Sequence, residues 1–130
     1  METVLLDTCI ISFFLKTDER AKHYEPYVDN NRLVVSFMTI AELYRWTITK
    51  KWGLKRKLDL EKYLSKFIVY PFTDHLCYKW AEVVEEMKDK GNPISCADAW
   101  IAATALLLDI PIVTHNKKDF CEINHLKVIS

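Results

Sequence analysis

Four acidic residues stand at the ends of short apolar runs or on the helical segments beside them. They are Asp7, Glu42, Asp98 and Asp119. Ligands of open parallel sheets bind outside the carboxyl ends of the strands, which is where these acids would gather. Carboxylates gathered there repel one another without a counter-ion, and hard oxygen ligands select Mg²⁺ or Mn²⁺. The four acids therefore predict a metal site of the kind that commonly hydrolyses phosphodiesters.

Asp98 is the hardest of the four to explain as a purely structural residue. On a helical wheel it shares a stripe with Ile101, Ala102 and Ala105, within a segment that is apolar on nearly every face. Such a segment predicts a buried helix, and a buried carboxylate without a partner costs several kcal/mol. The alternative is an ordinary acid in the first turn of a helix, where the helix dipole favours it.

The other three acids also have plainer interpretations. Asp7 can cap the helix that follows it, and Asp119 can lie in a polar surface turn. Glu42 points away from an apolar stripe and can belong to a solvated helix face. The stripe consists of Ile40, Leu43, Tyr44, Thr47 and Ile48. These alternatives stay open at the level of sequence.

The elements that must position the acids alternate between short apolar runs and longer helical segments. Strands are predicted at 4–6, 33–35, 68–70, 112–113 and 127–129. Helices are predicted at 9–15, 20–28, 39–51, 55–67, 74–90 and 97–108, the fifth of them capped by Asp74. This alternation is typical of βαβ units. The expected fold class is α/β, a three-layer α/β/α sandwich around a central parallel sheet of four to five strands.

Length and composition set the limits of these expectations. The chain has 130 residues, of which 50% are hydrophobic, so we expect one domain over 1–130 and no intrinsic disorder. No apolar run reaches the roughly 18 residues of a membrane span. The four cysteines are scattered without a C-x-x-C pair, which indicates free thiols in a reducing cytosol. The 18 basic and 18 acidic residues balance, so net charge neither favours nor excludes a nucleic-acid partner.

Four segments of the chain carry recognisable motifs in a fixed order. They are Leu5-Leu6-Asp7-Thr8, the S-x-x-T-x-x-E-L of 36–43, the D-x-x-I-A-A-T-A of 98–105 and the V-T-x-N-x-x-D-F of 113–120. In these segments the chain resembles the PIN-domain family of metal-dependent ribonucleases, and within it the VapC-type toxins of toxin–antitoxin pairs. Each motif is weak alone, but four in order over nearly the whole chain are specific.

The resemblance implies a function and its partners. It implies an endoribonuclease that uses Mg²⁺, with Mn²⁺ as a substitute, and that acts as the toxin of a toxin–antitoxin pair. Such a protein is cytoplasmic, cleaves RNA through a metal-activated water, forms a homodimer and is silenced by a small antitoxin protein, with no membrane involved. A non-catalytic PIN-like binding module and a phosphoryl-transfer domain of similar α/β architecture remain the alternatives.

The resemblance also implies roles for individual residues. The first three of the four acids would ligate Mg²⁺, and Asp119 would be a fourth, more variable acid. Thr114 and Asn116 would hold the site in shape. Two positions depart from the family pattern: Cys9 stands where Asn or Ser is common, and Arg45-Trp46 stand where a Gly is frequent.

A basic and aromatic segment follows the second motif. Residues 43–58 contain no acid and six cations, interleaved with aromatic residues. Clustered cations suit a phosphate backbone, and exposed aromatic rings can stack bases. Arg45, Trp46 and Trp52 are therefore candidates for contact with RNA or the antitoxin, as are Lys117 and Lys118 beside the last acid. The alternative is a soluble helix end whose aromatic residues belong to the core or to an interface.

Overall fold

A sheet of five parallel strands forms the middle layer of the molecule. The structure is a computed structural model that describes residues 1–130. The strands are β1 (Thr3–Leu6), β2 (Arg32–Ser36), β3 (Ile68–Tyr70), β4 (Ile112–Val113) and β5 (Val128–Ile129). They lie in the order β3-β2-β1-β4-β5, and every neighbouring pair is parallel. The predicted fold class and all five predicted strands are confirmed.

Seven helices connect the strands. They are α1 (Thr8–Leu15), α2 (Ala21–Val28), α3 (Phe37–Thr49), α4 (Leu54–Leu64), α5 (Asp74–Asp89), α6 (Cys96–Leu108) and α7 (Lys117–Phe120). The six predicted helices are present, with ends that differ by up to three residues. The short α7 was missed, because one turn is too short to show a helical period. The predicted cap of α5 was wrong: Thr73 is the N-cap, and its Oγ1 accepts from the backbone N of Leu76 at 3.1 Å.

Two hydrophobic clusters fill the space between the sheet and its helices. Successive side chains of a strand point to opposite faces, so Val4 and Leu6 enter one cluster while Leu5 enters the other. Helices α1, α2 and α4 pack on the first face, and α5 and α6 on the second. Helix α6 contributes more buried residues than any other helix, as its composition predicted. None of the seven helices combines the length and apolar character required to cross a membrane.

The buried face of α3 differs from the predicted apolar stripe. Tyr44 and Ile48 are exposed, with 42% and 72% of their surface accessible. The buried row is Thr39, Leu43 and Thr47. Threonine tolerates burial when its hydroxyl is bonded, and Thr47 Oγ1 donates to the carbonyl oxygen of Tyr44 at 2.7 Å. The predicted stripe was therefore right in part and wrong at its two exposed residues, and Glu42 lies half-buried beside the buried row rather than on a fully solvated face.

The order of the strands creates a crevice at the carboxyl end of β1. From β1 the chain proceeds outward on one side to β2 and β3, and later on the other side to β4 and β5. Ligands of open α/β sheets bind at such a switch point. Asp7 is the first residue after β1, and Thr114 is the first residue after β4, so the fold places both at this crevice.

Candidate functional site

Asp7 is both the N-cap of α1 and a buried carboxylate at the end of β1. It is 4% exposed, and its Oδ1 accepts from the backbone N of Thr8 at 2.8 Å. The interpretations of Asp7 as a helix cap and as a site carboxylate are thus compatible, because the cap uses only one of its two oxygens. Burial raises the pKa of Asp7 despite hydrogen bonds from Thr114, Thr8 and Cys9, and the charge of Asp119 raises it further. The charge of the Asp7 carboxylate therefore lowers the stability of the fold.

The second oxygen of Asp7 is held by a fully buried threonine. Thr114 Oγ1 donates to Asp7 Oδ2 at 2.7 Å and accepts from the backbone N of Asn116 at 3.0 Å. Thr114 therefore links the carboxyl end of β1 to the loop that follows β4. The same loop carries Asn116 to the rim of the crevice beside Asp7.

Glu42 is tied to the same place through two threonines that the sequence reasoning did not assign to the site. Thr8 Oγ1 donates to Glu42 Oε1 at 2.7 Å. Thr8 Oγ1 also lies 2.9 Å from Thr39 Oγ1, one turn before Glu42 on α3. The signal for these threonines in the sequence was their place in two of the motifs, as the T of L-L-D-T and the T of S-x-x-T-x-x-E-L.

Asp98 occupies the first turn of α6 and faces the other carboxylates. Its backbone N donates to Ser95 Oγ, the N-cap of the helix, at 3.1 Å. Burial raises the pKa of Asp98 to about 6, and the charges of Asp7, Asp119 and Glu42 add to the rise. All four predicted acids are therefore near enough to act on one another electrostatically. No cation offsets this repulsion, since none of the three ion pairs of the chain involves a site acid.

The acids border two adjoining cavities that share Asp98. One is a cleft of about 250 Å³ lined by Asp7, Thr8, Cys9, Ser12, Phe13, Glu42, Trp46, Asp98 and Asn116. The other, of about 170 Å³, contains the exposed Asp119 on its wall, together with Asn92 and Ser95. We call the first of these the acidic cleft. The structure thus brings three of the four acids to one cleft and places the fourth just beyond Asp98.

The donor set of the acidic cleft fits a hard cation in charge and chemistry. Its ligands are carboxylate oxygens, which Mg²⁺ and Mn²⁺ prefer. No three His, Cys, Asp or Glu side chains lie close enough together to hold an ion as they stand. The charges of Asp7, Asp119 and Glu42 act against that of Asp98, and a bound cation would remove this repulsion.

Cys9 is a neutral hydrogen-bond donor in this site. Its Sγ donates to Asp7 Oδ2 at 3.4 Å and accepts from the backbone N of His115 at 3.5 Å. Burial, together with the charge of Asp7, raises the pKa of Cys9 to about 12. At neutral pH a thiol with such a pKa is protonated, so it is a poor nucleophile and can donate to Asp7. Cys9 thus helps to orient Asp7, a task that an Asn or Ser at this position can also perform.

The candidate contact residues separate into different places. Trp46 lines the acidic cleft, whereas Trp52 lines an apolar groove between α1 and α4. Arg45 is exposed on α3, and Lys117 and Lys118 are exposed on α7, the short helix that carries Asp119. Trp46 lies one turn after Glu42, so the helical period places both on the same side of α3, but it did not indicate that this side would border the cleft.

We expect Thr114→Val to lower the free energy of unfolding by about 1–3 kcal/mol, as loss of a buried hydrogen-bonding group does. Valine keeps the shape but leaves Asp7 Oδ2 and the backbone N of Asn116 without Oγ1. Urea denaturation measures the change.

Thr104→Val is the matched control for this measurement. Thr104 is equally buried, but its Oγ1 donates only to the carbonyl oxygen of Trp100 in its own helix, at 2.8 Å. That carbonyl already accepts in the backbone hydrogen bonds of the helix. Thr104→Val should therefore lower the free energy of unfolding by less than Thr114→Val does. Equal losses in the two variants would show that Thr114 has no special role in holding Asp7.

The sequence of the chain is similar to one protein family and to known proteins. The PIN domain profile matches residues 4–126. Ribonuclease VapC1 of Haemophilus influenzae strain R2866 is 31% identical over 127 residues, which cover 95% of this chain and 93% of that protein.

Two solved structures share the fold over almost the entire chain. VapBC2 from Rickettsia felis, bound to a DNA fragment from its promoter, superposes with a TM-score of 0.85 at 25% identity, covering 98% of this chain and 97% of that chain. VapBC-1 from nontypeable Haemophilus influenzae gives a TM-score of 0.81 at 28% identity, covering 100% and 98%.

Proposed function

The chain belongs to the PIN domain family, and from this premise we propose that it is a metal-dependent endoribonuclease that acts as the toxin of a VapBC-type pair. The observation that carries the proposal is the set of four carboxylates at the carboxyl end of the sheet, which repel one another and have no protein cation beside them. The ribonuclease relative at 31% identity supports the choice of RNA as substrate.

We propose Asp7, Glu42 and Asp98 as the ligands of Mg²⁺, or of Mn²⁺ in its place, with Asp119 as the fourth acid. Mg²⁺ held by these acids would polarise the phosphate and activate a water for hydrolysis of the phosphodiester bond. The chain itself contributes orientation. Thr114 and Cys9 fix one oxygen of Asp7, while Thr8 fixes one oxygen of Glu42.

The antitoxin partner follows from the VapBC likeness. The groove that contains Trp52 also includes Phe14, Leu15, Leu60 and Tyr63, and it is the most apolar of the cavities. We propose that a segment of the antitoxin docks there. Trp46, by contrast, belongs to the acidic cleft, so its role concerns RNA rather than the antitoxin.

A homodimer and a cytoplasmic location complete the proposal. Tyr44 and Ile48 expose apolar surface on α3, as do Ile68 and Val69 on the edge strand β3, which supports an interface with a second copy of the chain. An enzyme that cleaves cellular RNA works in the cytoplasm, where that RNA is found.

The proposed function is tested by metal removal. We expect the purified chain to cleave single-stranded RNA internally, excess EDTA to abolish cleavage, and added Mg²⁺ or Mn²⁺ to restore it, because the acids of the cleft need a cation. Gel analysis of an end-labelled RNA measures internal cuts. A non-catalytic binding module would cleave nothing under any condition, and cleavage that persists in excess EDTA would refute the metal mechanism.

A further inference from the structure

Two lysines from different helices converge on the ring of Trp46. Lys16 is the C-cap of α1 and Lys50 is the C-cap of α3. The Nζ of Lys16 lies 5.2 Å from the centroid of the Trp46 ring, and the Nζ of Lys50 lies 5.5 Å from it. Cation–π attraction holds both ammonium groups at this ring. We call Lys16 and Lys50 the lysine pair on Trp46.

The positive charge of this pair is not held in an ion pair within the chain, although the charge of Lys16 contributes to lowering the pKa of Asp18. Neither lysine takes part in any of the three ion pairs of the structure. The charge of Lys16 is the main cause that lowers the pKa of Lys50. The negative ends of two helices can each favour a nearby cation, which is the structural explanation for a lysine at either position. It does not explain why the two ammonium groups share one ring, since that proximity costs free energy unless an anion joins them.

The lysine pair adjoins the acidic cleft through Trp46. Helices α1 and α3 contact each other, and both begin at the carboxyl edge of the sheet, near Asp7. Lys50 follows Glu42 by eight residues, or about 12 Å along the helix axis. Trp46 lies between them and lines the cleft itself. A single extended RNA strand can therefore span from the cleft to the lysines along one surface.

We propose that Lys16 and Lys50, held over Trp46, form a subsite for backbone phosphates of the RNA strand that flank the bond cleaved in the acidic cleft. This inference rests on the proposed ribonuclease function. Trp46 is a positioning residue, because the ammonium groups occupy its ring face and a base does not stack there. The acidic cleft repels the substrate backbone, and the lysine pair supplies the attraction that brings the strand to it.

The test is the salt dependence of RNA binding by the variant Lys16→Met/Lys50→Met. Methionine retains the apolar stem over Trp46 and removes the charge. Binding of a fluorescently labelled single-stranded RNA is measured by anisotropy in EDTA, so that no cleavage occurs, over a KCl series. We expect Kd to rise about tenfold at low salt, and the slope of log Kd against log salt to fall by about 1.4, or 0.7 for each lost phosphate contact.

Lys66→Met is the matched control. Lys66 also lies over an aromatic ring, with its Nζ 5.6 Å from the centroid of Tyr63, but it precedes β3 at the opposite edge of the sheet. Loss of the Lys66 charge should leave both the Kd for RNA and the slope of log Kd against log salt unchanged. In Mg²⁺, the double variant should show a higher KM with an unchanged kcat. Trp46→Phe, which keeps a ring, should preserve binding, whereas Trp46→Leu should weaken it.

The outcomes separate this inference from the proposed function. An unchanged salt slope in the double variant would overturn the subsite and would leave the lysines as helix caps, whose loss lowers only the melting temperature. If the wild-type chain bound RNA with the expected lysine dependence but failed to cleave it with Mg²⁺ or Mn²⁺, the proposed function would fail and the subsite would stand.

Discussion

Asp7→Asn should reduce RNA cleavage by more than about 100-fold, the upper end of what loss of an outer-sphere partner of a metal costs, because Asp7 is proposed as a direct ligand. Asparagine is the sharper choice than alanine. Its side-chain oxygen can still accept from the backbone N of Thr8 and cap α1, a position that Asn favours. Removal of the buried charge favours the folded variant, whereas the amide Nδ2 can no longer accept from Thr114 Oγ1. Because these two effects oppose each other, the thermal melt should stay close to that of the wild type, and the loss of cleavage will report on the site rather than on unfolding.

Asp29→Asn is the control for this variant. Asp29 is an exposed acid that caps the end of α2 and precedes β2, at the edge of the sheet opposite the acidic cleft. Cleavage by this control should equal that of the wild type. Full activity in Asp7→Asn at saturating Mg²⁺ would remove Asp7 from the proposed metal ligands.

Asp98→Asn should produce a second large effect, with opposite signs for activity and stability. Cleavage should fall as it does for Asp7→Asn. In EDTA at pH 7, however, the free energy of unfolding should rise by about 1–2 kcal/mol. The rise of the Asp98 pKa from its ordinary value of 3.8 to about 6 corresponds to a larger free energy. We expect less because solvent screens a half-exposed carboxylate. Asparagine keeps the shape and removes the charge that burial and the neighbouring acids oppose.

The gain in stability from Asp98→Asn should depend on pH. The pKa of Asp98 is raised in the folded state, so below about pH 4 the carboxyl is protonated whether the chain is folded or unfolded, and its charge costs nothing. Between pH 4 and 6 the unfolded chain ionises first, and the wild type loses stability relative to the variant. Above pH 6 the difference is complete. Urea denaturation of both proteins in EDTA at pH 4, 5, 6 and 7 measures this window.

A first-turn acid elsewhere in the chain provides the comparison for Asp98. Asp74 lies in the first turn of α5 and is exposed, so Asp74→Asn removes a favourable interaction with the helix dipole and should lower stability by about 0.3–1 kcal/mol. Added Mg²⁺ should stabilise the wild type and Asp74→Asn alike, and Asp98→Asn much less. If Asp98→Asn, like Asp74→Asn, is less stable than the wild type and gains as much stability from Mg²⁺, then Asp98 is a structural acid.

Much of the architecture could be predicted because its signals are local. The run Val4-Leu5-Leu6 is apolar on consecutive positions, as a strand buried on both faces must be, and Asp7 ends it. The segment that became α6 has small and apolar side chains on nearly every face, which matches its burial against the sheet. Since parallel strands align their carboxyl ends, the gathering of the acids at one edge also followed from their order along the chain.

What the sequence determined by itself was therefore the five strands and the six longer helices, the parallel sheet, and the edge at which the four acids meet. The tertiary structure alone decided which side chains face one another across that edge. Glu42 accepts from Thr8, 34 residues away, and Asp7 accepts from Thr114, 107 residues away. Trp46 faces the acidic cleft while Ile48 faces outward, against the predicted stripe. A helical period shows which residues share a face, but the partner that a face meets depends on how distant elements pack, and that is a non-local property.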